Sequence, residues 1–176
     1  MNVNNKVLIL NQDQIKNKIQ RLAFQIYEDH FEETEIVLVG IADSGYVLAK
    51  RILQALEGIC GDKGDKTFKL IRLEVDKEAR TLISKLDTEV EEIQHKPLLI
   101  IDDVSNSGKT LLYGIGTFLN MPIKSIKTAV LVDRSHHRFP IAIDYYGLKL
   151  ATTLKETVLV DLVENSEVSE DAAWLV

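Results

Sequence analysis

Residues Leu98–Thr110 read LLIIDDVSNSGKT. Four apolar residues run straight into two acids, a stretch of small and polar residues follows, and helical spacing takes over from about Thr110 to Leu119. A continuous apolar run of this length fits a strand covered on both faces. Such a strand delivers Asp102 and Asp103 to its carboxyl end, the place where open parallel sheets bind ligands. The loop Ser105–Thr110 then offers backbone N–H groups, the hydroxyls of Ser105, Ser107 and Thr110, and a helix N-terminus, which together form an anion cradle. Gly108 lets the backbone approach a phosphate closely.

The tripeptide Gly108-Lys109-Thr110 invites comparison with the triphosphate-binding loop G-x-x-x-x-G-K-[ST], but that motif needs glycine five positions before Gly108. Asp103 stands there, and an acid at that point repels a triphosphate. Two acids ahead of an anion cradle suit a ligand that presents hydroxyls, or a divalent cation, beside a monophosphate. Ribose 5-phosphate is such a ligand, with the carboxylates on the ring diol and the loop on the phosphate.

Outward from this stretch, strand and helix alternate. After the apolar run Val7–Leu10, the spacing of Ile15, Ile19, Leu22, Ala23 and Ile26 predicts an amphipathic helix over Gln12–His30. Ile36–Val39 reads as a buried strand ending at Gly40, and Gly45–Leu56 as a helix with Gly58 as its stop. A polar loop, Cys60–Lys66, leads to a strand over Phe68–Val75. Asp76–Lys96 is charged and weakly periodic, and fits either a mobile flap or a short helix. Beyond the central stretch, Ile126–Asp133, Tyr145–Leu150 and Thr157–Leu162 read as further strands. The pattern predicts an α/β fold with a parallel sheet covered on both faces.

Composition narrows the function class. The 176 residues suit one domain, and prolines only at 97, 122 and 140, without repeats, give no linker. Hydrophobic residues at 45% and charged residues at 27% describe a chain able to bury a core. A net charge of -6, from 21 Lys and Arg against 27 Asp and Glu, disfavours sequence-independent coating of nucleic acid. Apolar runs stay far below the ~20 residues of a membrane span, and Val7–Leu10 is too short for a signal-peptide core, so the expected location is the cytoplasm. Cys60, the one cysteine, reads as a spectator thiol.

LLIIDDVSNSGKT resembles the phosphoribosyl-diphosphate (PRPP) binding signature of the type I phosphoribosyltransferases. Val37–Ile52 (VLVGIADSGYVLAKRI) and Ala129–Thr153 (AVLVDRSHHRFPIAIDYYGLKLATT) resemble segments of the subfamily that combines pyrimidine operon attenuation with uracil phosphoribosyltransferase activity. The resemblance implies a type I fold, a parallel core with a small hood built from the terminal segments, and a flexible flap at about 76–96. It implies that Asp102 and Asp103 bind the ribose hydroxyls of PRPP, directly or through Mg2+, and that Ser105, Asn106, Ser107, Gly108, Lys109 and Thr110 hold the 5-phosphate. Ile41, Ala42, Asp43, Ser44 and Gly45 fall in the pyrophosphate loop, which composition alone presents as a glycine-flanked turn. Arg134 and Leu150 are the base-pocket candidates.

The implied ligands are PRPP and a nucleobase, with uracil first, and the implied assembly is a homodimer or larger. RNA is the partner of an alternative reading, an attenuation regulator or nucleotide sensor with little catalysis. The basic groups that would serve it are Lys16, Lys18 and Arg21, and Arg134, His136, His137 and Arg138. The chain departs from the family where close relatives carry Lys and Arg in the pyrophosphate loop and it carries Ala42, Asp43 and Ser44. Either Asp43 acts through Mg2+, or pyrophosphate binding is weakened. Asn106 stands where purine enzymes of the hypoxanthine type place a catalytic Asp, which disfavours that chemistry. Lys77, Arg80 and Lys85 are the cations that a closing flap would bring to pyrophosphate.

Overall fold

A computed structural model describes residues 6–61, 64, 66–75, 84–152, 156–164 and 169–176. Six strands form the main sheet in the order β4-β3-β2-β5-β6-β7. They are β2 (Glu35–Ile41), β3 (Thr67–Val75), β4 (Ser84–Leu86), β5 (Pro97–Ser105), β6 (Ser125–Arg134) and β7 (Tyr145–Leu150). All neighbours run parallel except the edge strand β4, which is antiparallel to β3. Helix α1 (Gln12–Asp29) and α2 (Ala42–Cys60) cover one face, and α3 (Lys109–Phe118) covers the other. Within β5, Leu99 and Ile101 join the core under α1 and α2 while Leu98 and Ile100 join the core under α3, and all four are fully buried. Burial on both faces is the reason this strand reads as an unbroken apolar run.

The order of the strands creates the site. From β2 the chain crosses through α2 to β3 on one side, and from β5 it crosses through α3 to β6 on the other. The carboxyl ends of β2 and β5 therefore lie side by side where the winding reverses, and a crevice opens between the two departing segments. Over that end sits a small hood, a three-stranded sheet β1-β9-β8 of β1 (Val7–Leu10), β8 (Val158–Asp161) and β9 (Ala172–Leu175). Arg51 of α2 ties the hood down: it donates from Nη1 to Asp171 Oδ2 at 2.5 Å, and also pairs with Glu164. Burial works against the Asp171 carboxylate, but the Arg51 guanidinium and the Val163 N–H outweigh it and hold its pKa below the ordinary value.

Helix boundaries carry two differences from the sequence reading. Helix α2 begins at Ala42, three residues before Gly45, and the reversal out of β2 is absorbed by Ala42 itself at φ +47°. At the other end Gly58 lies inside the helix, and Gly61, at φ +54°, terminates it. Of the segment 76–96, residues 76–83, with Lys77 and Arg80, lie outside the described residues, and the rest forms β4 and a 3-10 turn at Val90–Glu92.

Candidate active site

The acid pair closes the carboxyl end of β5. Asp102 is 7% exposed, pairs in register with Val130 of β6, and its Oδ1 accepts the Asp103 N–H at 3.0 Å. Asp103 Oδ1 in turn accepts the Val104 N–H at 2.9 Å. These short turns fix both carboxylates at the lip of the sheet. Beyond them β5 continues to Ser105, and Gly108, in the left-handed region at φ +81°, turns the chain into α3. A Cβ at Gly108 would lie 2.5 Å from Ile141 Cγ2, so the close approach of the 137–141 loop also requires glycine. Gly108 has no side chain to cap α3, whose first turn holds no acid, and the Lys109 N–H donates to Ser107 Oγ at 3.3 Å, which leaves the positive end of the helix dipole for an anion.

Ser44 completes the crevice from the opposite side. A cleft of about 290 Å³ is lined by Ser44, the run 102–108, Thr110, Leu111 and the hood residues Val158, Leu159 and Val160. Gly45 permits this closeness, since a Cβ there would lie 2.7 Å from Ile101 O and 2.9 Å from Asp102 Cα. The start of α2 is likewise uncapped by any side chain. Two helix N-termini thus approach one acid pair.

Four further sets of contacts shape the cleft and its surroundings. Asn106 Nδ2 lies 3.4 Å from Val158 O, and its Oδ1 3.4 Å from Val158 N, so one amide bridges the phosphate loop and the hood strand. His137 Nε2 lies 3.0 Å from Ser105 Oγ and 2.9 Å from Oδ1 of the buried Asp133, which braces the loop from β6. The N–H groups of Arg138 and Phe139 both donate to Ser107 O. Arg72 of β3 donates from Nη2 to Asp43 Oδ1 at 2.5 Å, placing a cation beside the first turn of α2. Main-chain groups such as those of Val158 leave no trace in residue identity, and Arg72 is one of three charged residues in β3, with Lys69 and Glu74, so nothing in the sequence set it apart.

Other sequence candidates fall elsewhere. Arg134 and Leu150 are register partners at the ends of β6 and β7, outside the lining of the cleft, and Arg134 Nε donates to Thr152 Oγ1 at 2.5 Å. Arg21 donates to Gly147 O at 2.7 Å. Lys85 lies in β4, at the far edge of the sheet from the acid pair. Among the described residues no group of three or more His, Cys, Asp or Glu side chains is arranged to hold a metal. An acid pair alone fits Mg2+, which binds through one or two carboxylates and completes its shell with waters and substrate phosphates.

Residues 9–163 match the phosphoribosyl transferase domain model. The chain belongs to the phosphoribosyltransferase family. Among its relatives is the bifunctional protein PyrR of Bacillus subtilis (strain 168), 32% identical over 169 residues that cover 92% of this chain and 93% of that protein. PyrR of Clostridium beijerinckii is 34% identical over 90% of this chain and 92% of its own length. Among solved structures, a hypoxanthine-guanine phosphoribosyltransferase from Bacillus anthracis superposes with a TM-score of 0.75 over 96% of this chain and 97% of its own, at 20% identity. An asparagine mutant of an invariant aspartic acid in hypoxanthine phosphoribosyltransferases superposes with a TM-score of 0.77 over 96% of this chain and 91% of its own, at 19% identity. These two establish the type I fold. This phosphoribosyltransferase transfers ribose 5-phosphate to a nucleobase. No helix among its described residues is long and apolar enough to cross a membrane.

Proposed function

We propose that the accepted base is uracil, that the donor is PRPP bound with Mg2+, and that the site residues are those gathered around the cleft. The observation that carries the reading is the junction of Asp102 and Asp103 with the starts of α2 and α3 in a single crevice. The start of α3, with Ser105, Ser107 and Thr110, takes the 5-phosphate. Asp102 and Asp103 hold the ribose diol and are the residues that would hold Mg2+, whose chemistry is to neutralise charge building on the leaving group. Ile41–Gly45, at the start of α2, face the pyrophosphate.

In the reaction the bond from the anomeric carbon to pyrophosphate oxygen breaks, its electron pair leaves with pyrophosphate, and a ring nitrogen of the base forms the new bond. The base gives up its proton to solvent. Positive charge develops on the ribose in passing, so fixed carboxylates beside the diol stabilise that state more than the ground state. The likeness of Val37–Ile52 and Ala129–Thr153 to the subfamily with uracil phosphoribosyltransferase activity supports a uracil-directed rather than a purine-directed site, as does Asn106 at the position given to a catalytic Asp in the purine enzymes. Homodimerisation or a larger homo-oligomer is part of the proposal. RNA is not part of it, since a net charge of -6 disfavours a nucleic-acid surface.

The test is turnover of the purified protein with PRPP, Mg2+ and a panel of bases, read as pyrophosphate release. Release with uracil and with no purine supports the reading. Release with hypoxanthine or guanine alone overturns the choice of base, and failure to bind PRPP overturns the site.

A further inference from the structure

We infer that Arg72 receives the departing pyrophosphate, and that Asp43 holds its guanidinium in position until that anion displaces the carboxylate. The inference rests on the phosphoribosyl-transfer reading above and assigns the positive charge that the pyrophosphate loop lacks. Ile41–Gly45 contains no cation and one acid, yet the leaving group gains negative charge as its bond breaks. Arg72 is in register with Gly40 at the end of β2, one strand from the loop. Its neighbours Ile71 and Leu73 are buried under α3, so Arg72 projects to the α2 side, where its Cζ lies 5.7 Å from the ring of Tyr46.

The bonding of Arg72 is incomplete in a way that suits an exchange of anions. Nη2 meets Asp43, whose side chain is 77% exposed, while Nε is buried and has no hydrogen bond among the described residues, with Glu74 Oε1 at 3.8 Å. An ion pair this exposed adds little to stability, and a carboxylate this accessible is replaced readily. A pyrophosphate oxygen can take over its place and offer a second acceptor to the planar fork of the guanidinium. Asp43 and Ser44 are consecutive: Ser44 lines the cleft, and Asp43 lines an adjoining depression with Tyr46, Lys50 and Arg72. An anion leaving the cleft past the start of α2 passes from one to the other.

The experiment is calorimetric titration of the full chain with magnesium pyrophosphate and, separately, with ribose 5-phosphate. Arg72→Gln is expected to weaken pyrophosphate about tenfold to hundredfold, the loss of a charge-assisted bond, and to leave ribose 5-phosphate within about twofold. Arg72→Lys recovers part of the loss, and Asp43→Asn tightens pyrophosphate. In turnover, Arg72→Gln raises KM for PRPP and leaves KM for the base unchanged. Unaltered pyrophosphate affinity in Arg72→Gln, or equal losses for both ligands, overturns the inference, and unaltered or weaker binding in Asp43→Asn overturns the role of Asp43. Wild-type protein that binds ribose 5-phosphate but not pyrophosphate overturns this inference alone, whereas binding of neither overturns the proposed function beneath it.

Discussion

Replacing Gly45 by alanine tests whether the start of α2 must touch β5. The added Cβ would stand 2.7 Å from Ile101 O and 2.9 Å from Asp102 Cα, both backbone atoms that cannot rotate away. Ordinary contact begins near 3.4 Å, so the first turn of α2 must retreat by 0.7 Å, the difference between 3.4 and 2.7. Overpacking of this kind costs about 1–3 kcal/mol, from which the helix preference for alanine over glycine recovers roughly 0.5–1 kcal/mol. A chain of this size moves in Tm by roughly 2–4 °C per kcal/mol. Gly58 in the same helix supplies the control, because a Cβ there meets nothing within 4 Å. Gly58→Ala should therefore raise Tm by about 1–4 °C, while Gly45→Ala lowers it by a few degrees. Displacing the loop by most of an ångström should also cut kcat/KM for PRPP by up to about a hundredfold. Thermal melts and PRPP kinetics on the two variants decide the matter. A Gly45→Ala protein that melts at or above wild type with unchanged PRPP kinetics refutes the argument.

Other outcomes follow from the hood and the core. The Asp171 carboxyl is held below its unfolded value of 3.8 by Arg51, so its stabilising share is complete above that value and is lost as pH falls through the lower folded one. Proteolysis near the hood should accelerate below about pH 4 in wild type, and Arg51→Ala should show the accelerated rate already at pH 7. Lys66, 8% exposed, donates to the carbonyls of His30, Phe31 and Glu33 at 2.6–2.8 Å and closes the end of α1. Lys66→Met should cost about 2–3 kcal/mol, visible in urea denaturation as a lowered midpoint with an unchanged slope. Asn106→Asp removes the donor to Val158 O and sets a carboxylate against that carbonyl, so amide exchange along β8 should rise while exchange in β2 stays at the wild-type rate.

The sheet and its helices were legible because they are built from runs that only burial explains: Leu98–Ile101 as a two-sided strand, and Ile15 to Ile26 as one face of α1. Strand β9 escaped notice because Ala172–Leu175 is four residues long and finds its register only between β8 and β1, the second of which lies at the other end of the chain. At the site, Asp102, Asp103 and Gly108 were readable from residue type and spacing. The start of α2 was not, since the positive φ of Ala42 belongs to a residue with no intrinsic preference for it. The contacts of Val158 with Asn106, of His137 with Ser105 and of Arg72 with Asp43 join residues 29 to 52 positions apart and became visible only in the fold.

The central claim is that Asp102 and Asp103 bind the ribose of PRPP, and calorimetry tests it directly. The Asp102→Asn, Asp103→Asn double variant keeps both side-chain oxygens that accept the Asp103 and Val104 N–H groups, so the loop stays closed while both charges vanish. Titrated with PRPP in Mg2+, wild type should bind and the double variant should show no measurable heat at the same concentrations. PRPP affinity that survives the loss of both charges contradicts the account.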